Sequence, residues 1–427
     1  MRKVFKNKRV LADCHIFQML STAAQKPHIS FHTPGHKVGK WDITELSFSD
    51  NLSSPRGCIA RAQEDIARIL GANSAFIITD GSTAGVLSML FTAKSSGVKR
   101  LAVREDSHKS VFNGCALLGI SPVLLPVEKK GGIPLPVTLS DIEQADADAV
   151  FITSPDYYGN IPDLQAIGEY CKNTGKMLVI DGAHGGHLHF NKTLYAGEYA
   201  DLWVDGVHKS LPALTQGAIV CAKTAALSQK LARAVDIFRT TSPSYPIMAS
   251  VEYAAKYPQN EWLQTQASAW QKGTDRLYLG DDWTKIVALF GKNAEIVHER
   301  LRKEGVYAEF CDGNAVTFYL SPATTKRDFL RLKKRLAALF ETYLYVPVDD
   351  VPAPVVFEKT GEKEWVEMEK SIGRICAEFC GLFPPCTPLI CVGEVITEEK
   401  IRLLQNADNA FGIKGKEISV FKAEEKE

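Results

Sequence analysis

The chain has 427 residues, enough for two domains around a large core, and its 45% apolar and 23% charged content is ordinary for a globular enzyme. Fifty basic side chains balance fifty acidic ones, so no net field recruits nucleic acid or an anionic membrane. No stretch reaches the ~20 apolar residues of a membrane span. The basic opening runs into Val10-Leu11-Ala12-Asp13 rather than a signal-peptide core, and ten cysteines without such a signal imply free thiols in a reducing cytoplasm.

From the N-terminus, Val10, Cys14 and Phe17 share one face of an opening helix. Phe31-His32-Thr33-Pro34-Gly35-His36-Lys37-Val38-Gly39 is too rich in Pro, Gly and His for a core element, and reads as a loop laid over an active site. Ser53-Ser54-Pro55 is a capping signature for a helix with Ile59, Ile66 and Leu70 inward, ended by Gly71. Residues 75–79 form a buried strand, after which Asp80-Gly81-Ser82-Thr83-Ala84-Gly85 opens a helix through Val86, Leu87 and Leu90. Such a turn begins any capped helix, and it also offers free N–H groups and a positive dipole end to an anion. Without the Walker lysine pattern it implies no nucleoside triphosphate.

Residues 100–103 are a strand, and Asp106-Ser107-His108-Lys109-Ser110 starts a helix through Val111 and Leu117. His108 is either a surface histidine at a helix start or, following a buried strand, a ring stacked over a flat ligand. A strand at 122–127, a turn at Gly131-Gly132 and a helix start at 140–144 come next. The strand 149–153 then ends in Ser154-Pro155-Asp156-Tyr157-Tyr158-Gly159-Asn160-Ile161-Pro162, before a helix through Leu164, Ile167 and Tyr170.

The next stretch carries the chemistry. Met177-Leu178-Val179-Ile180 stops on Asp181-Gly182-Ala183-His184-Gly185-Gly186-His187, the pattern of a buried strand delivering polar groups at its carboxyl end, where open α/β sheets bind ligands. Leu202-Trp203-Val204-Asp205-Gly206-Val207-His208-Lys209-Ser210 repeats the pattern, with Lys209 on a turn. A lone lysine is ordinarily a solvated charge. One held in a desolvated or cation-flanked pocket loses pKa and attacks carbonyls, as a Schiff-base lysine must. Asp181 either caps the loop at Gly182 or faces the ring nitrogen of pyridoxal phosphate, keeping it protonated so that the ring accepts electrons. Strands alternating with helices argue a mostly parallel sheet with right-handed crossovers. The polar clusters at its exits, Ser82 and Thr83, His108, Ser154, Asp181 and His184, then Lys209, fit one pocket.

Further on, 217–222 reads as a strand, 225–238 as a helix, 250–302 as helical, 306–310 and 316–320 as strands, 327–340 as a helix and 346–354 as a Pro-rich linker. Trp365, Met368, Ile372, Ile375 and Phe379 form a stripe at helical spacing. Cys376 with Cys380, and Cys386 with Cys391, fall in the loose range of zinc spacings, but the first pair lies in that stripe and the linker is short, so no metal is expected. The divisions are 1–45 for the N-terminal helix and active-site loop, 46–284 for a cofactor-binding large domain and 285–427 for a small α+β domain.

Taken together, Thr33-Pro34-Gly35-His36-Lys37, Asp80-Gly81-Ser82-Thr83, Ser107-His108-Lys109-Ser110, Asp181-Gly182-Ala183-His184-Gly185, Val207-His208-Lys209-Ser210 and Thr240-Thr241-Ser242-Pro243-Ser244-Tyr245 closely resemble the prokaryotic-type ornithine/lysine/arginine decarboxylases. Phe383-Pro384-Pro385-Cys386-Thr387-Pro388 with Gly393-Glu394 is similar to that family's C-terminal signature, so the resemblance covers nearly the whole chain. It implies an α/β, aspartate-aminotransferase-like large domain of pyridoxal-phosphate fold type I, plus the smaller C-terminal α+β domain. It also implies decarboxylation of lysine, arginine or ornithine to the corresponding amine.

By this resemblance Lys209 forms the Schiff base with pyridoxal 5'-phosphate, Asp181 pairs with the ring nitrogen, Ala183 packs one ring face and His108 stacks on the other. His184 lies near the phenolic oxygen and the substrate. Ser82, Thr83 and His208 hold the phosphate, helped by Ser242 or a neighbour from a second subunit, which makes a homodimer the smallest active unit. Cys386 departs from the pattern, standing where the family usually has glycine. Glu394, Asp349 and Asp350 are candidate receptors for a cationic substrate side chain. The runner-up, an aminotransferase or related lyase, would hold the substrate carboxylate with Arg374. A non-catalytic regulatory relative is expected to have lost one of Asp181, His108 and Lys209.

Overall fold

Apolar runs such as Phe151-Ile152 and Leu178-Val179-Ile180 need cover on both faces, which parallel pairing between helical layers supplies. The computed structural model describes residues 5–25, 29–37, 41–348, 361–382, 386–406 and 409–422. Strands β1 (Ser74–Ile78), β2 (Arg100–Arg104) and β3 (Ser121–Leu125) precede a short hairpin, β4 (Lys129–Lys130) with β5 (Ile133–Pro134). Then come β6 (Ala149–Thr153), β7 (Met177–Gly182), β8 (Leu202–Asp205) and β9 (Ala218–Ala222). Seven of these form one sheet in the order β1-β9-β8-β7-β6-β2-β3. Every pair from β3 across to β8 is parallel, and β9 runs antiparallel to both β8 and β1. The carboxyl ends of β1, β2, β6, β7 and β8 therefore share one edge.

Alternate residues of each strand feed opposite layers. Leu178 and Ile180 pack with Ile152 and Trp203 against Ile59, Ile66, Leu164 and Met248, while Val179 packs with Phe151 and Val204 against Val86, Leu90, Phe112 and Leu231. The Gly81–Ser95 helix is apolar nearly all round and lies on β8 so closely that a Cβ on Gly85 would come within 2.5 Å of Val204 Cγ2. That approach brings its N-terminus to the exit edge.

Two helix starts differ from the sequence expectation. The helix placed after Ser53-Ser54-Pro55 begins at Cys58, because the Asp50 carboxylate accepts the N–H groups of Arg56, Gly57 and Ile59 and caps it from the preceding turn. Gly71, at φ 66°, closes it as expected. The opening helix is two, Lys8–Ala12 and His15–Gln25, yet Val10, Cys14 and Phe17 still pack together, with Phe5 and Tyr253.

The helix expected over 250–302 is interrupted. After Tyr245–Ala255 and Glu261–Lys272 comes β10 (Lys285–Leu289), which with β11 (Phe310–Cys311) and β12 (Ala315–Tyr319) forms an antiparallel sheet ordered β10-β12-β11. The helices Ala294–Lys303 and Lys326–Thr342 cover it. Lys285-Ile286-Val287-Ala288-Leu289 is short, apolar and paired along its length with a segment distant in sequence, which local periodicity does not reveal. The strand expected at 306–310 is reduced to β11.

The stripe from Trp365 to Phe379 is not a helix. β13 (Lys363–Glu367) leads into a single turn at Met368–Ser371, followed by β14 (Cys380–Leu382), β15 (Pro388–Ile390), β16 (Ala410–Phe411), β17 (Ile413–Lys414) and β18 (Glu417–Phe421). β13 pairs residue for residue with β18, and Trp365 and Ile372 stay 39% and 42% exposed, so the stripe is no buried face. Cys376 and Cys380 thus lie off any helix, their thiols donating to the carbonyls of Glu378 and Gly412 at 2.9 and 3.0 Å. Most of the Pro-rich linker, with Asp349 and Asp350, lies outside the described residues, as do Val38, Gly39 and Phe383 to Pro385.

Candidate active site

Five strand exits meet along the carboxyl edge of the large sheet. β1 runs into the Gly81–Ser95 helix, β2 into Lys109–Leu118, β6 and β7 into loops, and β8 into the single turn Val207–Ser210 that carries Lys209. Glycine lets the exits touch: a Cβ on Gly206 would meet Ala183 O at 2.5 Å and Ser82 Oγ at 2.8 Å. Between them is a cavity of about 300 Å³. Ser82, Thr83, His108, Asp181, Ala183, His184, His208 and Lys209 all line it, and Glu309, Phe310 and Cys386 close it from the C-terminal segments. A larger cavity, about 590 Å³, opens beside the His15–Gln25 and Cys58–Leu70 helices. It lies at no strand exit, and its His15 is already bonded to Asp65 at 3.0 Å.

Asp181 is paired in register with Thr153 on one side and Val204 on the other, which fixes its backbone. Its side chain is buried, and among the described residues its one hydrogen bond is from Ala183 N–H to Oδ1 at 3.0 Å. The loop-capping role is therefore real, and Oδ2 has no donor among the described residues. Burial raises the pKa of Asp181, against the pull of the Lys209 ammonium and the Ala183 N–H.

Burial lowers the Lys209 pKa, aided by Lys285 and opposed by Asp181, Glu309 and Cys386. A half-buried amine so biased is a nucleophile in waiting. Its Nζ lies 3.0 Å from His184 Nε2. Burial, then Lys209 and Lys285, hold the His184 pKa well below its ordinary value, so this ring is neutral at pH 7 and Nε2 accepts from a protonated Lys209. That leaves Nδ1–H toward the Tyr319 hydroxyl, 3.4 Å away, while Tyr157 meets the ring edge-on with centroids 4.7 Å apart. Behind His184, Lys285 Nζ lies 2.9 Å from Asp282 Oδ2, and Asp282 Oδ1 lies 2.8 Å from His187 Nε2. Burial alone would raise the Asp282 pKa, but His187 and Lys285 outweigh it and keep the carboxylate charged. These buried pairs tie the β7 exit to the start of β10.

His108 caps its helix. Nδ1 accepts Ser110 N–H at 3.2 Å and lies 2.8 Å from the Ser110 hydroxyl, so a neutral ring carries its proton on Nε2. Burial and then Lys209 push its pKa down to about 4, which keeps it neutral. His208 is the reverse: Nδ1–H donates to Gly217 O at 2.8 Å, so Nε2 is an acceptor unless protonated, and burial lowers its pKa. It can serve a phosphate only as the imidazolium.

Other expectations fare differently. Ser242 is exposed, bonds Thr240 Oγ1 through its N–H and lies outside the cavity lining. The described part of the Phe31 loop does not line the cavity either, and Phe31 is 94% exposed. His32 and His36 instead bond Thr44 and Asp42. Arg374 pairs with Glu364 at 2.5 Å and with Phe421 O at 3.0 Å, away from the cavity. Glu394 is taken up by Lys400 and by Cys391 N–H. Tyr157, Glu309 and Phe310 received no role from the sequence. Tyr157 was within reach of it, since it follows the β6 exit, but Ala308-Glu309-Phe310 carries no local signal. Cys386 adopts φ 67°, a left-handed conformation that suits glycine, and its carbonyl accepts Lys109 N–H at 3.0 Å, tying the C-terminal segment to the His108 helix.

The residues present fit pyridoxal phosphate: an amine for its aldehyde, a buried carboxylate with an open oxygen for its ring nitrogen, and a helix N-terminus with two hydroxyls for its phosphate. This fold and this site define the fold-type I class. Within it, the sequence signature of the Orn/Lys/Arg decarboxylase major domain matches residues 40–271, and the chain belongs to that decarboxylase family. It is 27% identical to an arginine decarboxylase of Halalkalibacterium halodurans, over 95% of this chain and 96% of that one. Lysine decarboxylase A from Pseudomonas aeruginosa superposes with TM-score 0.75 at 17% identity, covering 96% of this chain and 80% of that one. The structure of SPT with PLP superposes with TM-score 0.57 at 14% identity, covering 78% and 85%. At such identity the two structures show the fold alone.

Proposed function

We propose that the chain binds pyridoxal 5'-phosphate through a Schiff base at Lys209 and decarboxylates a basic amino acid, lysine, arginine or ornithine, to the amine. The observation that carries this reading is the shared cavity of Lys209, Asp181 and the Gly81–Ser95 helix N-terminus. Bound there, the cofactor supplies an electron sink for the bond pair left on Cα when carbon dioxide departs. Asp181 holds a proton at the ring nitrogen. Ser82, Thr83 and the first-turn N–H groups bind phosphate, with His208 joining them as the imidazolium. Ala183 and His108 are the surfaces for the ring.

Lys209, bonded to a neutral His184, is placed to return a proton at Cα. Tyr157 and Phe310 give the substrate carboxylate an apolar neighbourhood that disfavours its charge. Glu309 is the acid left over once Asp181 is assigned. Its side chain makes no hydrogen bond or ion pair among the described residues, and it stands at the cavity mouth beside aromatic rings, as a receptor for a distal cation requires. The placement of Ser242 outside its own cavity supports a site completed by a second subunit, hence a homodimer. Among the described residues no helix is long and apolar enough to cross a membrane. The cytoplasmic assignment rests instead on the ten cysteines, all of them free thiols. The 1–45, 46–284 and 285–427 divisions are retained as proposed.

Transamination loses support because Arg374 is committed elsewhere. The test is to incubate the protein with pyridoxal phosphate and each basic amino acid, measure carbon dioxide and amine, and map the borohydride-stable label. Amine, carbon dioxide and a label at position 209 are expected. Keto acid without carbon dioxide would favour transamination, and absence of cofactor uptake a regulatory role.

A further inference from the structure

Away from the catalytic cavity, one group of metal-ligating side chains gathers on the smaller sheet. Glu295 and His298 stand one turn apart on the Ala294–Lys303 helix, and Cys311 comes from the edge strand β11 packed against it. One ligand atom from each lies within 4.8 Å of the other two. We propose that Glu295, His298 and Cys311 form a binding site for a borderline transition-metal ion of the zinc class.

The donors set that class. Imidazole and thiolate favour zinc or cobalt, whereas magnesium and calcium want oxygen alone. Metal–ligand bonds of about 2.0–2.3 Å put tetrahedral donors roughly 3.3–3.8 Å apart, so the trio has to close by at most about 1.5 Å. Rotation of the exposed Glu295 and half-buried His298 side chains supplies that movement, with Cys311 carried on its strand. Spacing of three residues on a helix puts Glu295 and His298 on one face.

Glu295 and His298 have no engagement outside the trio among the described residues, and the Cys311 thiol also takes the Gly313 N–H. Among the described residues His298 makes no hydrogen bond or ion pair, and Glu295 reaches only the Cys311 thiol. Cys311 would release its proton to solvent on binding, and a water would complete the fourth position. Glu309 and Phe310 precede Cys311 on the same short segment and line the cavity mouth, so an ion here would staple that segment to the helix. The site stands whether or not the chain is a decarboxylase.

Chelator-treated protein titrated with cobalt(II) should take up one ion at this site, with tetrahedral d–d absorption and a thiolate charge-transfer band, and zinc should displace it. Cys311→Ser should abolish the thiolate band, and His298→Gln should weaken binding at least about tenfold, both with unchanged circular dichroism. Zinc should also raise the Tm of the wild type and leave that of Cys311→Ser where it was. No uptake by the wild type, or undiminished thiolate-band binding in the two variants, overturns the proposal.

Discussion

The exit edge of the seven-stranded sheet and the C-terminal segments facing it across the cavity are built by different means. On the sheet side, each reactive group stands at the end of a buried strand or within four residues of it and is held by named bonds: Asp181 by Ala183 N–H, His108 by Ser110, His208 by Gly217 O, His184 by Lys209. On the other side, Phe310 begins a two-residue edge strand with Glu309 just before it, and Cys386 occupies a left-handed turn. Rigid elements position chemistry more sharply than thin segments do, and thin segments tolerate change. The sheet side is thus suited to the bond-breaking common to a family, and the C-terminal side to reading what differs among substrates.

Substitutions can break that division of labour. The largest effect is expected for Lys209→Ala, a fall in carbon dioxide release of more than about 10³-fold, roughly 4 kcal/mol of barrier, with no label at position 209. Near-normal turnover would show that the sheet edge does not carry the chemistry. Glu309→Gln should raise KM for the basic substrate about tenfold, ~1.4 kcal/mol, with kcat and cofactor affinity unchanged. A fall in kcat alone would erase the distinction between the two sides.

A smaller effect tests how well the sheet edge is sealed from water. Burial pushes the His189 pKa from the ordinary 6.5 down to about 4. The unfolded chain therefore takes up a proton that the native state refuses, and this contribution to stability is lost as pH falls from about 6.5 toward about 4. Neighbouring carboxylates raised by burial, such as Asp205 at about 7, act with the opposite sign, so the informative quantity is a difference between proteins. Between those pH values the Tm of His189→Gln should fall less steeply than that of the wild type; parallel slopes would place the ring in contact with solvent. The smallest effect belongs to Cys386→Gly. Relief of the left-handed strain and loss of the buried thiol are each worth about 1 kcal/mol and oppose one another, so chemical denaturation should shift by less than about 1 kcal/mol. A large loss would mean that the thiol itself holds the C-terminal rim in place.

Legibility followed the same line. The seven strands of the large sheet and the helix Ala225–Phe238 were readable because each apolar run is local and bounded by glycine or polar residues. The cavity residues at their exits were readable because a parallel sheet puts every carboxyl end on one edge. Where a strand's partner lies far along the chain, the sequence misled: β10 looked helical, and the Trp365 stripe was spaced for a helix but folds as β13 against β18.

By itself, then, the order of residues determined the alternating architecture and the position of Lys209 and Asp181 at strand exits, because short-range periodicity and turn chemistry encode them. Only the tertiary structure decided that Glu309, Phe310 and Cys386 face Lys209, that Arg374 and Glu394 do not, and that Cys311 meets His298. Those contacts depend on nonlocal strand pairing and on which face of a strand meets which helix, and neither leaves a mark on neighbouring residues.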